Sequence, residues 1–168
     1  MLPQITALTI AVTLIYAAWT DLATRIIPNG TCLVIAAAGI VARAMAGPVA
    51  LGWSVGLAVL LFVILALAHA RGYLGGGDVK LLSALAIGLP PSAAVDLITG
   101  TALAGGALAA LHLVLRHLPP PIPCAAAAPA LRRVLTAERW RIRRHAPLPY
   151  GIAIACGGCW VLLSNHGS

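Results

Sequence analysis

Apolar residues fall along this chain in long unbroken runs, without the alternation of a half-buried strand or the narrow stripe of a surface helix. The runs cover 2–20, 31–46, 51–70, 81–89, 93–115 and 150–163, with short polar connectors between them and one long connector at 116–149. A membrane span needs ~20 predominantly apolar residues, which 2–20, 51–70 and 93–115 supply on their own. The pattern predicts an all-α fold, a polytopic membrane bundle of about six transmembrane helices forming a single integral-membrane domain over 1–168. The run at 81–89 fits least well. Counted from Asp78 it covers 12 residues, about 18 Å of helix against a hydrocarbon core of ~30 Å. Either this helix does not span alone, or the glycines ahead of it enter the membrane, where irregular backbone persists only against protein or water. Both readings place Asp78 in a recessed, partly wet pocket.

Composition supports the same class. The 168 residues are 61% hydrophobic and 9% charged, with a mean hydropathy of +0.98. Soluble domains are roughly half apolar and a quarter charged. The first run has no basic n-region and no signal-peptidase site after Ala17-Ala18-Trp19-Thr20, so it is expected to be a retained helix. The net charge of +7 raises nucleic acid as a partner, but the basic residues are confined to the connectors. With both termini outside, ten of the eleven Lys and Arg residues face the cytoplasm and only Arg43 lies opposite. The inverted arrangement would break the positive-inside rule ten times. No nucleic-acid partner is expected. The favoured topology also puts Asp21 and Asp78 on the same, cytoplasmic side.

Those two aspartates are half of the chain's four acidic residues. Carboxylates at membrane depth are costly and usually mark a working site. Two that converge share a proton and hydrolyse a peptide bond. Asp21 ends the first run and opens Asp21-Leu-Ala-Thr-Arg-Ile-Ile-Pro28-Asn29. It also reads as an ordinary helix-end acid paired with Arg25. Pro28 breaks the backbone there, and Asn29 is placed to cap the second helix. Gly75-Gly76-Gly77-Asp78-Val79-Lys80 is the sharper signal. Glycine permits positive φ and close approach, as an extended peptide beside Asp78 would need. A flexible loop ending in an N-cap Asp is the simpler alternative. Lys80 is a cytoplasmic anchor or tunes the carboxylate. Pro147-Leu148-Pro149-Tyr150-Gly151 leads into the last run from the same side, as a turn or as a wall of the same pocket.

The remaining candidates are structural. Asp96 suits a first helical turn, and Glu138, among arginines, reads as a surface ion pair. The five histidines (His69, His112, His117, His145 and His166) lack metal-ligand spacing. Cys156-Gly-Gly-Cys159 lies inside an apolar run where zinc binding is opposed, and Cys32 and Cys124 stand alone. Neither a metal nor a cofactor is expected. Gly52-x-x-x-Gly56 reads as helix packing, and Arg43 as a side chain that snorkels outward. The long connector divides into a Pro/Ala spacer of polyproline character (119–129) and a basic segment (132–144). That segment reads as an amphipathic surface helix against anionic lipid or as a topology anchor.

Asp21 with Ile27-Pro28-Asn29, then Gly75-Gly76-Gly77-Asp78-Val79-Lys80, then Pro149-Tyr150-Gly151-x-Ala153-Ile154, resembles the type IV prepilin peptidases. These belong to the GxGD membrane aspartyl proteases, which also include presenilin-like enzymes. Order and spacing are most similar to the small peptidase-only members that serve tight-adherence (Flp) pili. The resemblance implies a bacterial inner-membrane protein whose catalytic aspartates are Asp21 and Asp78, with Gly75 and Gly77 as motif glycines. It implies removal of a basic leader from a prepilin, ahead of the pilin's apolar N-terminal helix. Larger members add a cytosolic domain with paired CxxC motifs and methylate the new N-terminus, which is not expected here. The rival readings are a presenilin-like protease cutting inside spans, a proton-coupled transporter using the two aspartates as relays, and a non-enzymatic assembly subunit.

Overall fold

Each apolar run folds into one helix. The computed structural model describes residues 2–119, 129–144 and 146–164. Their helices are α1 (Leu2–Thr24), α2 (Asn29–Met45), α3 (Pro48–Ala70), α4 (Gly76–Ile87), α5 (Pro91–His117), α6 (Ala130–Arg143) and α7 (Tyr150–Ser164). Proline stands at four of the starts, Pro129 being the N-cap of α6. Pro28 and Pro90 are the N-caps of α2 and α5, and Pro48 opens α3, positions where its fixed φ suits the first turn and its missing N–H costs nothing.

α1 (from Gln4), α3 and α5 are long and apolar enough to cross a membrane, and α2 and α7 are shorter apolar helices. Their outward faces expose large side chains such as Val49, Trp53, Leu103 and Trp160. Water would penalise that surface and hydrocarbon does not. The helices are those of a multi-pass membrane protein.

α4 sits at the centre, packed on α2, α3 and α7. From Val79 to Ala86 only Lys80 escapes burial, as expected for a helix that is enclosed on all sides. At its far end a Cβ on Gly39 of α2 would stand 2.8 Å from the Gly88 Cα, so two glycine backbones touch there. The Leu89 carbonyl, just past α4, accepts a 2.8 Å hydrogen bond from the Ser54 hydroxyl, which in turn accepts one of 2.9 Å from Arg43 Nε. A 12-residue helix is thus tolerated because the protein itself satisfies the backbone beyond its end. Arg43 therefore points inward rather than snorkelling. Ser54→Ala strands the Leu89 carbonyl and is expected to cost about 1–3 kcal/mol, read as a lowered thermal midpoint in detergent.

α7 packs mainly on α5 and α1, both through glycine. A Cβ on Gly157 would stand 2.5 Å from the Thr101 hydroxyl of α5, and one on Gly158 would stand 2.8 Å from Leu14 of α1. Small residues at such crossings are how membrane helices gain close packing. Gly52 and Gly56 take no part in this, because nothing lies within 4 Å of a Cβ on either. Asp96 is exposed and sits one turn further into α5 than a first-turn acid. The basic half of the long connector folds as α6, which packs on α5 and α1. The polyproline spacer at 120–128, Cys124, His145 and His166 lie outside the described residues.

Candidate active site

Asp21 lies in the last turn of α1 and is 7% exposed. Its Oδ2 accepts a 2.8 Å hydrogen bond from the Gly151 N–H. Gly151 is in the first turn of α7, where backbone N–H groups have no partner within the helix and favour an anion. The approach is close, since a Cβ at 151 would stand 2.8 Å from the Asp21 Cβ. Pro149, fully buried just before it, fixes the lead-in. Tyr150 turns away and lays its ring on Gly105 of α5, its hydroxyl 2.7 Å from where a Cβ would be.

Asp78 lies in the first turn of α4, whose N-cap is Gly75. The glycine triplet does not act through left-handed backbone. Gly75 has φ −71°, and among the described residues positive φ occurs only at Gly47, Gly72 and Arg25. What the triplet supplies is room. A Cβ on Gly75 would meet the Asp78 Oδ2 at 2.8 Å, one on Gly76 would touch the His69 ring, and one on Gly77 would press on Ile27 at 3.3 Å. Ile27 belongs to the connector after α1, so Gly77 admits the segment carrying Asp21 against the helix start carrying Asp78. Lys80 reinforces this by donating to Asn29 Oδ1 at 3.1 Å. Asn29 is therefore a partner of α4, not the cap of α2, which is Pro28 with no side-chain cap.

α4 is shorter than the helices long enough to cross a membrane alone, and Asp78 at its start has a pKa pushed up to about 6. Burial is the main cause, followed by the Asp21 charge, with the Gly75 N–H opposing. A helix N-terminus alone would favour the charged form, but loss of solvent and a second carboxylate outweigh it. The two aspartates are thus brought within electrostatic reach of each other. An apolar groove of about 480 Å³ runs between α2, α3 and α4 and borders the site at Asn29 and Lys80. No group of three or more His, Cys, Asp or Glu side chains is assembled among the described residues.

Arg25 does not pair with the Asp21 side chain. Its N–H closes α1 on the Asp21 carbonyl at 2.9 Å, and its guanidinium donates to the Pro147 carbonyl and to Glu138 Oε1. Glu138 is buried and not a surface pair. Within α6 only Glu138 and Ile142, four positions apart, are buried, while Leu131 and Leu135 stay exposed, so no apolar periodicity in the sequence announced the burial of Glu138.

A family model for the type IV leader peptidase family matches residues 8–110. The chain belongs to that family. No curated protein and no solved structure matches it. Membership makes the chain a peptidase of the leader-peptidase kind. The matched stretch contains Asp21, Gly75, Gly76, Gly77, Asp78 and Lys80, while Glu138 and Pro149-Tyr150-Gly151 lie beyond it.

Proposed function

We propose that this leader peptidase is an aspartyl endopeptidase of the bacterial inner membrane, one membrane domain that removes the leader from type IV prepilins of the Flp type. Asp21 and Asp78 are its catalytic pair, at the cytoplasmic face, with both termini outside. The reading rests on one observation: two carboxylates 57 positions apart in sequence (78 − 21) lie near enough for the charge of Asp21 to add to burial in raising the pKa of Asp78. Two such groups do not both ionise cheaply and so hold one proton between them. The ionised member takes a proton from water as that water attacks the scissile carbonyl carbon. The protonated member donates to the carbonyl oxygen. The pair titrates as a unit. The basic leader would lie in water beside the site, and the pilin's apolar helix would remain in the lipid.

A small pilin precursor with an intact leader, incubated with the peptidase in lipid vesicles, tests this by mass spectrometry. A single cut at the leader boundary is expected. A cut inside the apolar helix would favour the presenilin-like reading instead, and an uncut precursor would end the proposal.

A further inference from the structure

We infer that Glu138 is a positioning residue for the aspartate pair, and that α6 acts through it as a clasp holding the end of α1 against the start of α7. The inference rests on the catalytic reading of Asp21 given above, but Glu138 and Arg141 of α6 lie outside the stretch the family model matches, while Arg25 lies within it.

The clasp has three points. The first is the Glu138 carboxylate, on the face of α6 that meets the bundle. Its Oε1 holds Arg25, and its surroundings also include His112 Nε2 at 3.3 Å and Arg141 at 3.5 Å. One buried acid against these basic side chains is far costlier to break than to leave paired. The second is Arg141, whose two terminal nitrogens donate to the Leu22 and Ala23 carbonyls at 2.8 and 2.9 Å. Those carbonyls belong to the last turn of α1, where helix oxygens lack partners and cations are favoured. The third is Arg25, with φ 60°, a left-handed conformation that side chains other than glycine adopt only when their surroundings impose it.

Arg25 joins the two sides of the site. One terminal nitrogen is held by Glu138 and the other holds the Pro147 carbonyl. Four residues beyond Pro147 is Gly151, whose N–H binds the Asp21 carboxylate. Four residues before Arg25 is Asp21 itself. Glu138 thus fixes the fork, the fork fixes α1 to the α7 lead-in, and that spacing sets the Gly151–Asp21 hydrogen bond. Glu138 makes no hydrogen bond to either aspartate and positions Asp21 through Arg25, although its charge is felt at Asp21.

The test uses the full-length peptidase in vesicles with a pilin precursor. Glu138→Gln keeps the shape and removes the charge. It is expected to lower kcat about 30-fold, since small misplacements remote from the chemistry cost up to ~10²-fold, with KM unchanged. Arg25→Lys keeps the charge but loses the fork that reaches two acceptors, and is expected to do the same. In Arg25→Lys, which leaves the charges of Arg25 and Glu138 in place, the pH–rate profile should shift as Asp21 loses its N–H partner, a change that loss of folded protein does not produce. Arg133→Gln, on the outer face of α6, is the control and should match wild type. Trypsin should cut the α6 arginines faster in Glu138→Gln than in the control. Wild-type kcat in either Glu138→Gln or Arg25→Lys, or an unmoved pH profile in Arg25→Lys, overturns the clasp and leaves the aspartate reading standing. A wild-type protein that cleaves no precursor overturns both.

Discussion

Asp78→Asn is expected to abolish leader cleavage, by about 10³-fold or more since an acid–base group is lost, while leaving the protein no less stable than wild type above pH 6. The second half of that expectation separates a catalytic carboxylate from an N-cap. The Asp78 pKa is raised to about 6 by burial and by Asp21, so the folded state holds the proton more tightly than the unfolded chain does. Stability linked to this group is therefore present at low pH and lost as pH rises through about 6. An amide never ionises, so the variant escapes that loss, and its thermal midpoint should gain on wild type from pH 5 to pH 8. A carboxylate kept only to cap α4 would give the opposite result, a lower midpoint at neutral pH. Asp21→Asn should be equally inactive, because either substitution leaves a single carboxyl that cannot be base and acid at once. Residual cleavage near the wild-type rate in either variant would sink the pair. Cleavage by mass spectrometry and thermal midpoints at matched pH read both halves.

The spans were legible from sequence because hydropathy is a local property, and because Pro28, Pro48 and Pro90 mark helix starts by their own geometry. The shortness of α4 was legible too, but its place in the bundle was not. That place depends on the Gly39–Gly88 contact and on Ser54 reaching Leu89, pairings between segments that no local pattern announces. The aspartates stood out by rarity, and the topology put them on one side. The work of the glycine triplet was misread in part, since the backbone needs no positive φ there and the glycines instead make room for Asp78, His69 and Ile27. Glu138 was misplaced because arginines surround it in sequence. Its burial comes from Arg25 after α1 and His112 of α5, which close over it from distant segments, and Leu131 and Leu135 on the same stripe stay exposed, so no local pattern announced it.

Gly151→Ala is the sharpest test of how Asp21 is held. In a helix, Gly→Ala ordinarily stabilises by up to about 1 kcal/mol, because alanine has less backbone freedom to lose. Gly106 of α5 has nothing within 4 Å of a Cβ, so Gly106→Ala should follow that rule and leave cleavage intact. At 151 the same methyl group would stand 2.8 Å from the Asp21 Cβ, 2.9 Å from Oδ2 and 3.0 Å from Cγ. These atoms sit at the base of a short side chain on a helix and have little freedom to yield. Pro149, fully buried two residues before Gly151, anchors the start of α7. Overpacking of this kind costs about 1–3 kcal/mol, which reverses the usual sign. It also parts the Gly151 N–H from the carboxylate, and a lost preorganised donor of that sort is expected to lower kcat about 100-fold. Thermal midpoints and single-turnover cleavage of Gly151→Ala and Gly106→Ala, measured side by side, decide it. Equal behaviour of the two variants would mean that Asp21 is not held by α7 at all.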